Sequence, residues 1–325
     1  MWAKHLSKGH GLVRDGDDQD PTRVFEFIDV HQAEFTISAL CRQFRVSRSG
    51  HYAWRDRLPS PRSDADQALM TQIKAIHTAS RGVYGTPRIH ATLHAQGVRI
   101  SRRRVARLML QQGLRGICRR RRKGRPKRTR TRAVPPDQVR RSFHAERPNQ
   151  LWVADATYIP TAEGPVYLAA IQDVFSRRVV GWSLSARQDA ELMVRALQMV
   201  IRTRRPTHVI HHSGHGSLYV SLKFRQACAA ANVKVSMGSV GDCYDNAMAE
   251  SLFATLETEL IDRQPRHRVR TRAEANREVF SYLEGFYNLR RIHSALDYRS
   301  PVAYERRYAL EQGSTANPKM NCLSN

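Results

Sequence analysis

Apolar residues recur at helical spacing over the first third of the chain and at strand spacing over the middle. Residues 1–20 carry no periodicity and include the solvated run DGDDQD, so they are expected to form a flexible lead-in. The run FTISALCRQFRVSRSGHYAWRDR predicts a helix bearing Leu40, Cys41 and Phe44. After a break at Val46 and Ser47, a second helix bears Tyr52 and Trp54, capped by Ser47 or Ser49. LPSPRSDAD (Leu58–Asp66) reads as a linker. ALMTQIKAIHTAS is amphipathic, and YGTPRIHATLHAQG predicts a helix from about Pro87 to Gly97. Ser101 then caps RRRVARLMLQQG, which stops at Gly113 with Val105, Leu108, Met109 and Leu114 inward. Each pair of short helices joined by a tight turn follows helix-turn-helix grammar.

Beyond residue 150 the pattern becomes α/β. LWVADATYI, VYLAAIQDVF and VVGWSLS predict three antiparallel strands, with SRR turning the last hairpin. DAELMVRALQMVIRT and LKFRQACAAA predict helices, alternating with strands THVIHHS and VKVSM. The expected result is a mixed five-stranded sheet with helices on both faces, preceded by all-α helix-turn-helix units. The stretch His211–Glu257 then draws attention. A strand runs into a turn built from Ser213, Gly214, His215 and Gly216. A helix follows, for which Asp245 and Asn246 offer capping chemistry. Met248, Leu252, Leu256 and Leu260 form its buried stripe, and Glu250 lies off that stripe.

Charge changes the picture most. A net charge of +25 and a pI near 10.8 exceed what solubility needs and point to a polyanion, with DNA favoured over an anionic membrane surface. The excess is densest in RGICRRRRKGRPKRTRTR, where Arg119, Arg120, Arg121, Arg122 and Lys123 are expected to track phosphates. Arg48, Ser49 and His51 on one predicted reading helix, and Arg102, Arg103, Arg104 and Arg107 on the other, complete the DNA-binding set. No apolar run reaches a membrane span, and no apolar leader follows the N-terminal lysines. Five scattered cysteines without a CxxC pair fit a reducing cytoplasm and argue against a cysteine zinc site.

The candidate chemistry is acidic. Asp155 is the one charged residue in an apolar strand, which suits either a hydrogen-bonded strand aspartate or a metal ligand. Asp173, before the SRR turn, reads more simply as a partner for Arg177 or Arg178. Glu250 alone would be a solvated glutamate; beside Asp155 and the HHSGHG turn it becomes a second candidate ligand. His90 and His94 are four apart, but without a cysteine pair nearby they read as helix-face residues.

With those residues in view, the chain resembles the second-frame transposase of the IS3 family of bacterial insertion sequences. The motifs VSRSGHYAW, SRGVYGTPRIHATL, RRVARLM, WVADATYI, DVFSRRVVGW, HHSGHGSLYVS, GDCYDNAMAESLFATLETEL, FYNLRRIHSAL and SPVAYE occur in the family's order over residues 24–306. The resemblance implies an RNase H-like integrase core with an Asp, Asp, Glu triad holding two Mg2+ ions for in-line attack on phosphodiesters. It implies element terminal repeats and target DNA as partners, with self-association on DNA and no membrane. Asp155 matches the first Asp and Glu250 the Glu, as catalytic and metal-binding residues. The second Asp falls on Gly214, with the family's 35-residue spacing to Glu250 kept. Glycine brings no oxygen ligand, and imidazoles such as His212 or His215 suit softer metals. Asp242 is a further carboxylate of unassigned place. Glu257, seven positions after Glu250, stands where the family often has a basic residue.

The expected segments are therefore a lead-in (1–20), a helix-turn-helix-like segment (21–60), a second such domain (61–116) and a basic linker (117–145). An integrase catalytic domain (146–310) and a disordered tail (311–325) complete the chain. Two functions remain open: a transposase impaired at Gly214, or a catalytically silent remnant that binds element ends without cutting them.

Overall fold

The computed structural model describes residues 20–58, 60–117, 135–139, 142–214, 218–238, 246–263 and 270–315. The chain divides into two units, Met1–Leu69 and Met70–Asn325.

The first unit begins with a helix the sequence pattern did not single out, α1 (Pro21–His31). Asp20 accepts the Thr22 N–H as its cap, and Pro21 stands at the first helical position, where a missing donor costs nothing. Helices α2 (Ile37–Gln43) and α3 (Arg48–Arg55) follow, capped by Thr36 and Ser47. Val24 and Ile28 of α1 pack on Leu40 and Cys41 of α2, so three helices rather than two build this core.

Helix α4 (Pro61–Ala79) begins in the first unit and ends in the second; it is helical from Pro61, so most of the expected linker is helix. Proline is tolerated in a first turn, and Asp64 there complements the helix dipole. Helices α5 (Thr86–Ala95) and α6 (Arg102–Gln111, capped by Ser101) bury Ile89, Leu93, Val105, Leu108 and Met109.

The sheet has strands β1 (Leu151–Ile159), β2 (Val166–Asp173), β3 (Val179–Ser185), β4 (Val209–Ser213) and β5 (Val233–Met237) in the order β3-β2-β1-β4-β5. The first three pair antiparallel, whereas β4 and β5 join in parallel. Helices α7 (Ala190–Arg204) and α8 (Leu222–Ala230) cover one face, around Trp152, Ala154, Leu197 and Phe224. On the other face Leu151, Val153 and Val174 meet Ala249 of helix α9 (Ala247–Leu256). Val139 and Phe143 join that second cluster, and Gln138 donates its backbone N–H to Ser236 Oγ at 2.9 Å. The end of the expected basic linker thus packs on the core.

A π-helical turn (Glu257–Ile261) continues α9. Helix α10 (Arg272–Tyr282) carries a full capping box between Thr271 and Glu274. Helix α11 (Pro301–Thr315) runs into the stretch expected to be disordered, up to residue 315. Among the described residues no helix is long and apolar enough to cross a membrane.

Candidate active site

Strand period places Asp155 on the same sheet face as Leu151 and Val153, the face that α9 covers. Ala154 pairs in register with Ser213 across the parallel β1–β4 ladder, so the next residue on each strand brings Gly214 beside Asp155. Ile210 and His212 face the α9 side, and Gly214, two residues on, faces it as well. Asn246 closes the arrangement. It occupies the N-cap position of α9 but makes no side-chain cap, contrary to the expected role. Its Nδ2 instead donates to the Ala154 carbonyl at 3.3 Å. A Cβ at position 214 would lie 3.5 Å from that same Nδ2. One helical turn after Asn246 stands Glu250, exposed. Asp155, Gly214 and Glu250 therefore approach one another where the middle of β1 adjoins the carboxyl end of β4.

Asp155 is half-buried, and among the described residues its carboxylate accepts only the N–H of its own neighbour, Ala156, at 2.8 Å. Burial raises its pKa to about 6; the Ala156 N–H opposes the rise and the charge of Glu250 adds to it. Tyr219 is buried against His211 and Phe224, and among the described residues its hydroxyl has no hydrogen-bond partner. Its pKa is pushed well up by burial first and by the charge of Asp155 second. Neither Tyr219 nor the bracing role of Asn246 was expected from the sequence, although both lie inside the quoted motifs.

The backbone of Gly214 lies outside the left-handed region, and among the described residues an added Cβ meets only Asn246, at ordinary contact distance. Among those residues nothing demands glycine. His212 does not stand in for a carboxylate: its ring is buried on Phe143, with Nδ1 3.0 Å from Ser236 Oγ. His215, Asp242 and Asp245 lie outside the described residues.

Asp173 has a different environment. Fully buried, it accepts N–H groups from Asn149 at 2.7 Å, Phe175 at 2.9 Å and Ser176 at 3.3 Å. It does not pair with Arg177 or Arg178 as expected; Arg178 goes to Glu305 at 2.8 Å. The carboxylate holds the β2–β3 turn through backbone donors.

The DNA-binding candidates separate by exposure. Arg48, Ser49, Arg102, Arg103 and Arg107 are exposed and Arg104 is half-buried. His51 is a correction: it is 0% exposed, with its ring against Phe25, Tyr52 and Trp54. On a helix this short the inward face must be filled, and His51 fills it, so it belongs to the first unit's core. Arg119, Arg120, Arg121, Arg122 and Lys123 lie outside the described residues. His90 is half-buried, with Nε2 2.9 Å from the Ile100 carbonyl, in keeping with a helix-face role.

Comparison with known proteins agrees with this geometry. A family model described as "Integrase core domain" matches residues 145–243, and a second of the same description matches 231–301. An "HTH-like domain" model matches 64–122. The chain is 39% identical over 288 residues to "Transposase InsF for insertion sequence IS3A" of Escherichia coli (strain K12), covering 87% of this chain and 98% of that protein. The chain belongs to the IS3 family of insertion-sequence transposases. It is also 39% identical over 272 residues to "Insertion element IS600 uncharacterized 31 kDa protein" of Shigella sonnei, covering 83% of this chain and 98% of that protein. Weaker likenesses reach solved viral integrases. A simian T-cell lymphotropic virus intasome gives a TM-score of 0.41 at 15% identity, over 72% of this chain and 74% of that one. The HTLV-2 integrase catalytic core domain in complex with magnesium gives 0.36 at 18%, over 50% and 98%. The transposase family and its integrase core fix the RNase H-like fold of the sheet.

Within this IS3-family transposase, Asp155 and Glu250 offer the hard oxygen donors that magnesium takes. Two such residues do not make a two-metal set. Among the described residues no group of three or more His, Cys, Asp or Glu side chains is placed to hold a metal. Among the described residues the donor set therefore does not fit the two ions that the family resemblance implies.

Proposed function

We propose that this insertion-sequence transposase binds DNA, including the terminal repeats of its element, and that its DDE-type phosphodiester cleavage and strand transfer are impaired at Gly214. One observation carries the reading. The position between Asp155 and Asn246, open to a side chain among the described residues, holds glycine in place of a carboxylate. Losing one member of a catalytic set typically costs orders of magnitude in rate. It also leaves Asp155 and Glu250 short of the negative charge that divalent cations need.

DNA binding rests on separate features: the exposed arginines of α3 and α6, the net charge of +25 and the helix-turn-helix-like match. It is expected to survive the defect. Two measurements separate the parts. The purified chain should retard duplexes carrying its element's ends, with affinity falling steeply as salt rises. Calorimetric titration with magnesium should give little heat, and Gly214→Asp should restore a binding isotherm. Failure to bind DNA would remove the whole reading. Tight magnesium binding by the unaltered chain would remove the impairment. Self-association on DNA belongs to the same proposal, and light scattering with and without duplex would show it.

A further inference from the structure

Beside Glu250, and outside the triad positions, lies a cavity of about 120 Å³ whose walls include Arg88, Arg177, Arg291 and His293. We propose that this pocket, walled by Arg88 of α5, Arg177 of the β2–β3 turn and Arg291 after α10, binds a phosphodiester group of DNA. The proposal rests on the DNA-binding reading and assigns part of that binding to a place the helix-turn-helix features do not reach.

Charge is the first support. Arg291 spends its charge inside the protein: its guanidinium meets Glu259 at 2.6, 2.8 and 3.1 Å, with both groups buried. Glu259 also accepts the Tyr282 hydroxyl at 2.7 Å. That acid is thereby used up, and two guanidiniums are left over. Arg88 gives its Nε–H to the Ile292 carbonyl at 3.1 Å, a neutral acceptor. Among the described residues, the Arg177 side chain has neither an ion pair nor a hydrogen bond. His293 cannot supply the balancing change, because burial and the charges of Arg291, Arg177 and Arg88 hold it neutral, with a pKa near 2. Uncompensated positive charge at a cleft is the usual form of an anion site.

Construction is the second support. Arg177 sits at φ 57°, a left-handed backbone that side-chain-bearing residues rarely adopt. Gln172 holds that turn by donating to the Arg177 carbonyl at 2.9 Å and to the Tyr287 hydroxyl at 2.8 Å. Tyr84 fixes the opposite wall, giving its hydroxyl to the Arg290 carbonyl at 3.1 Å and accepting the Ile292 N–H at 2.8 Å. The two guanidiniums thus come from braced elements, which lowers the cost of ordering them. Ser251 and Thr255 of α9 line the cavity with hydroxyls, and Ser251 follows Glu250 directly. A strand whose phosphate rests here passes alongside the acidic site.

The test is fluorescence anisotropy of a labelled duplex with the full chain over a series of salt concentrations. Arg177→Gln should weaken binding about 5- to 10-fold at fixed salt and reduce the slope of log affinity against log salt by about one. Arg177→Lys should keep both near the unaltered values. Ser294→Glu, on an exposed residue lining the cavity, should weaken binding without touching the turn. Circular dichroism and the urea midpoint report folding, and if Arg177→Gln fails to fold, Ser294→Glu carries the test. Unchanged affinity and slope in the folded variants, while the unaltered chain binds duplex, would overturn the pocket and leave the DNA-binding reading standing. No duplex binding by the unaltered chain would overturn both. Inorganic phosphate is the second probe. Phosphate line-broadening by the unaltered chain that is lost in Arg177→Gln, with DNA affinity untouched, would make this a small-phosphate site and overturn the DNA assignment.

Discussion

Asp155 and Asp173 lie on neighbouring antiparallel strands and look alike in sequence, each a lone acid in an apolar run. Their surroundings differ. Asp173 is satisfied by three backbone N–H groups and sets a turn. Asp155 keeps one adjacent donor and sits near a second acid; burial raises the pKa of both aspartates, that of Asp155 to about 6. The same contrast runs along the helix that carries Glu250. Glu259, at its π-helical end, is locked to Arg291 and Tyr282, whereas Glu250 is exposed. Carboxylates that hold this fold together have their donors supplied by protein. The pair at the site does not, and that under-satisfaction, rather than burial, is what supports the proposed chemical role.

Substitutions should divide along that line. The largest effect is expected at Glu259→Gln, which leaves the buried Arg291 guanidinium without its counter-charge. A loss of about 3–5 kcal/mol is expected from urea unfolding. Asp173→Ala removes the acceptor for three N–H groups in the β2–β3 turn and should cost about 2–3 kcal/mol by the same measurement.

Asp155→Asn should have the opposite sign. The folded-state pKa of Asp155 lies above its ordinary value, so its contribution to stability is fully present below about pH 4. It is lost as pH rises through about 6. An uncharged Asn escapes that loss. The variant should be more stable than the unaltered chain at pH 8, by about 1–2 kcal/mol once partial solvent exposure is allowed for. At pH 4 the two should unfold together. Equal destabilisation by Asp155→Asn and Asp173→Ala at pH 8 would erase the distinction between the two aspartates.

Much of the core was legible because its strands follow clear period-2 or apolar runs bounded by turn residues. β1, β3 and β5 fall on the runs that predicted them. Helix α1 was missed because its periodicity is short and follows a polar lead-in, with the decisive cap on Asp20 just before it. Pro61 and the serines beside it read as linker, although a proline at a helix start breaks no hydrogen bond. His51 was misplaced because a polar residue on a basic helix looks like a reader, and only three-dimensional packing shows which face it fills. Asp155, Gly214 and Glu250 were legible as triad positions through the resemblance to the family's motifs. That Asn246 lies between them, and that among the described residues an added Cβ at 214 meets only Asn246, depends on strand register and helix placement, which motifs do not encode. The arginine pocket was invisible for the same reason, since its walls come from residues 88, 177 and 291.

The central claim is that one absent carboxylate limits an otherwise intact site. Its most direct test is a cleavage assay with magnesium on an end-labelled duplex bearing the element's terminal repeats, comparing the unaltered chain with Gly214→Asp at equal DNA occupancy. The expected result is cleavage by Gly214→Asp at least about 100-fold above the unaltered chain, abolished by adding Asp155→Asn or Glu250→Gln. Equal, robust cleavage by both proteins would contradict the account, because position 214 would then be irrelevant to the chemistry.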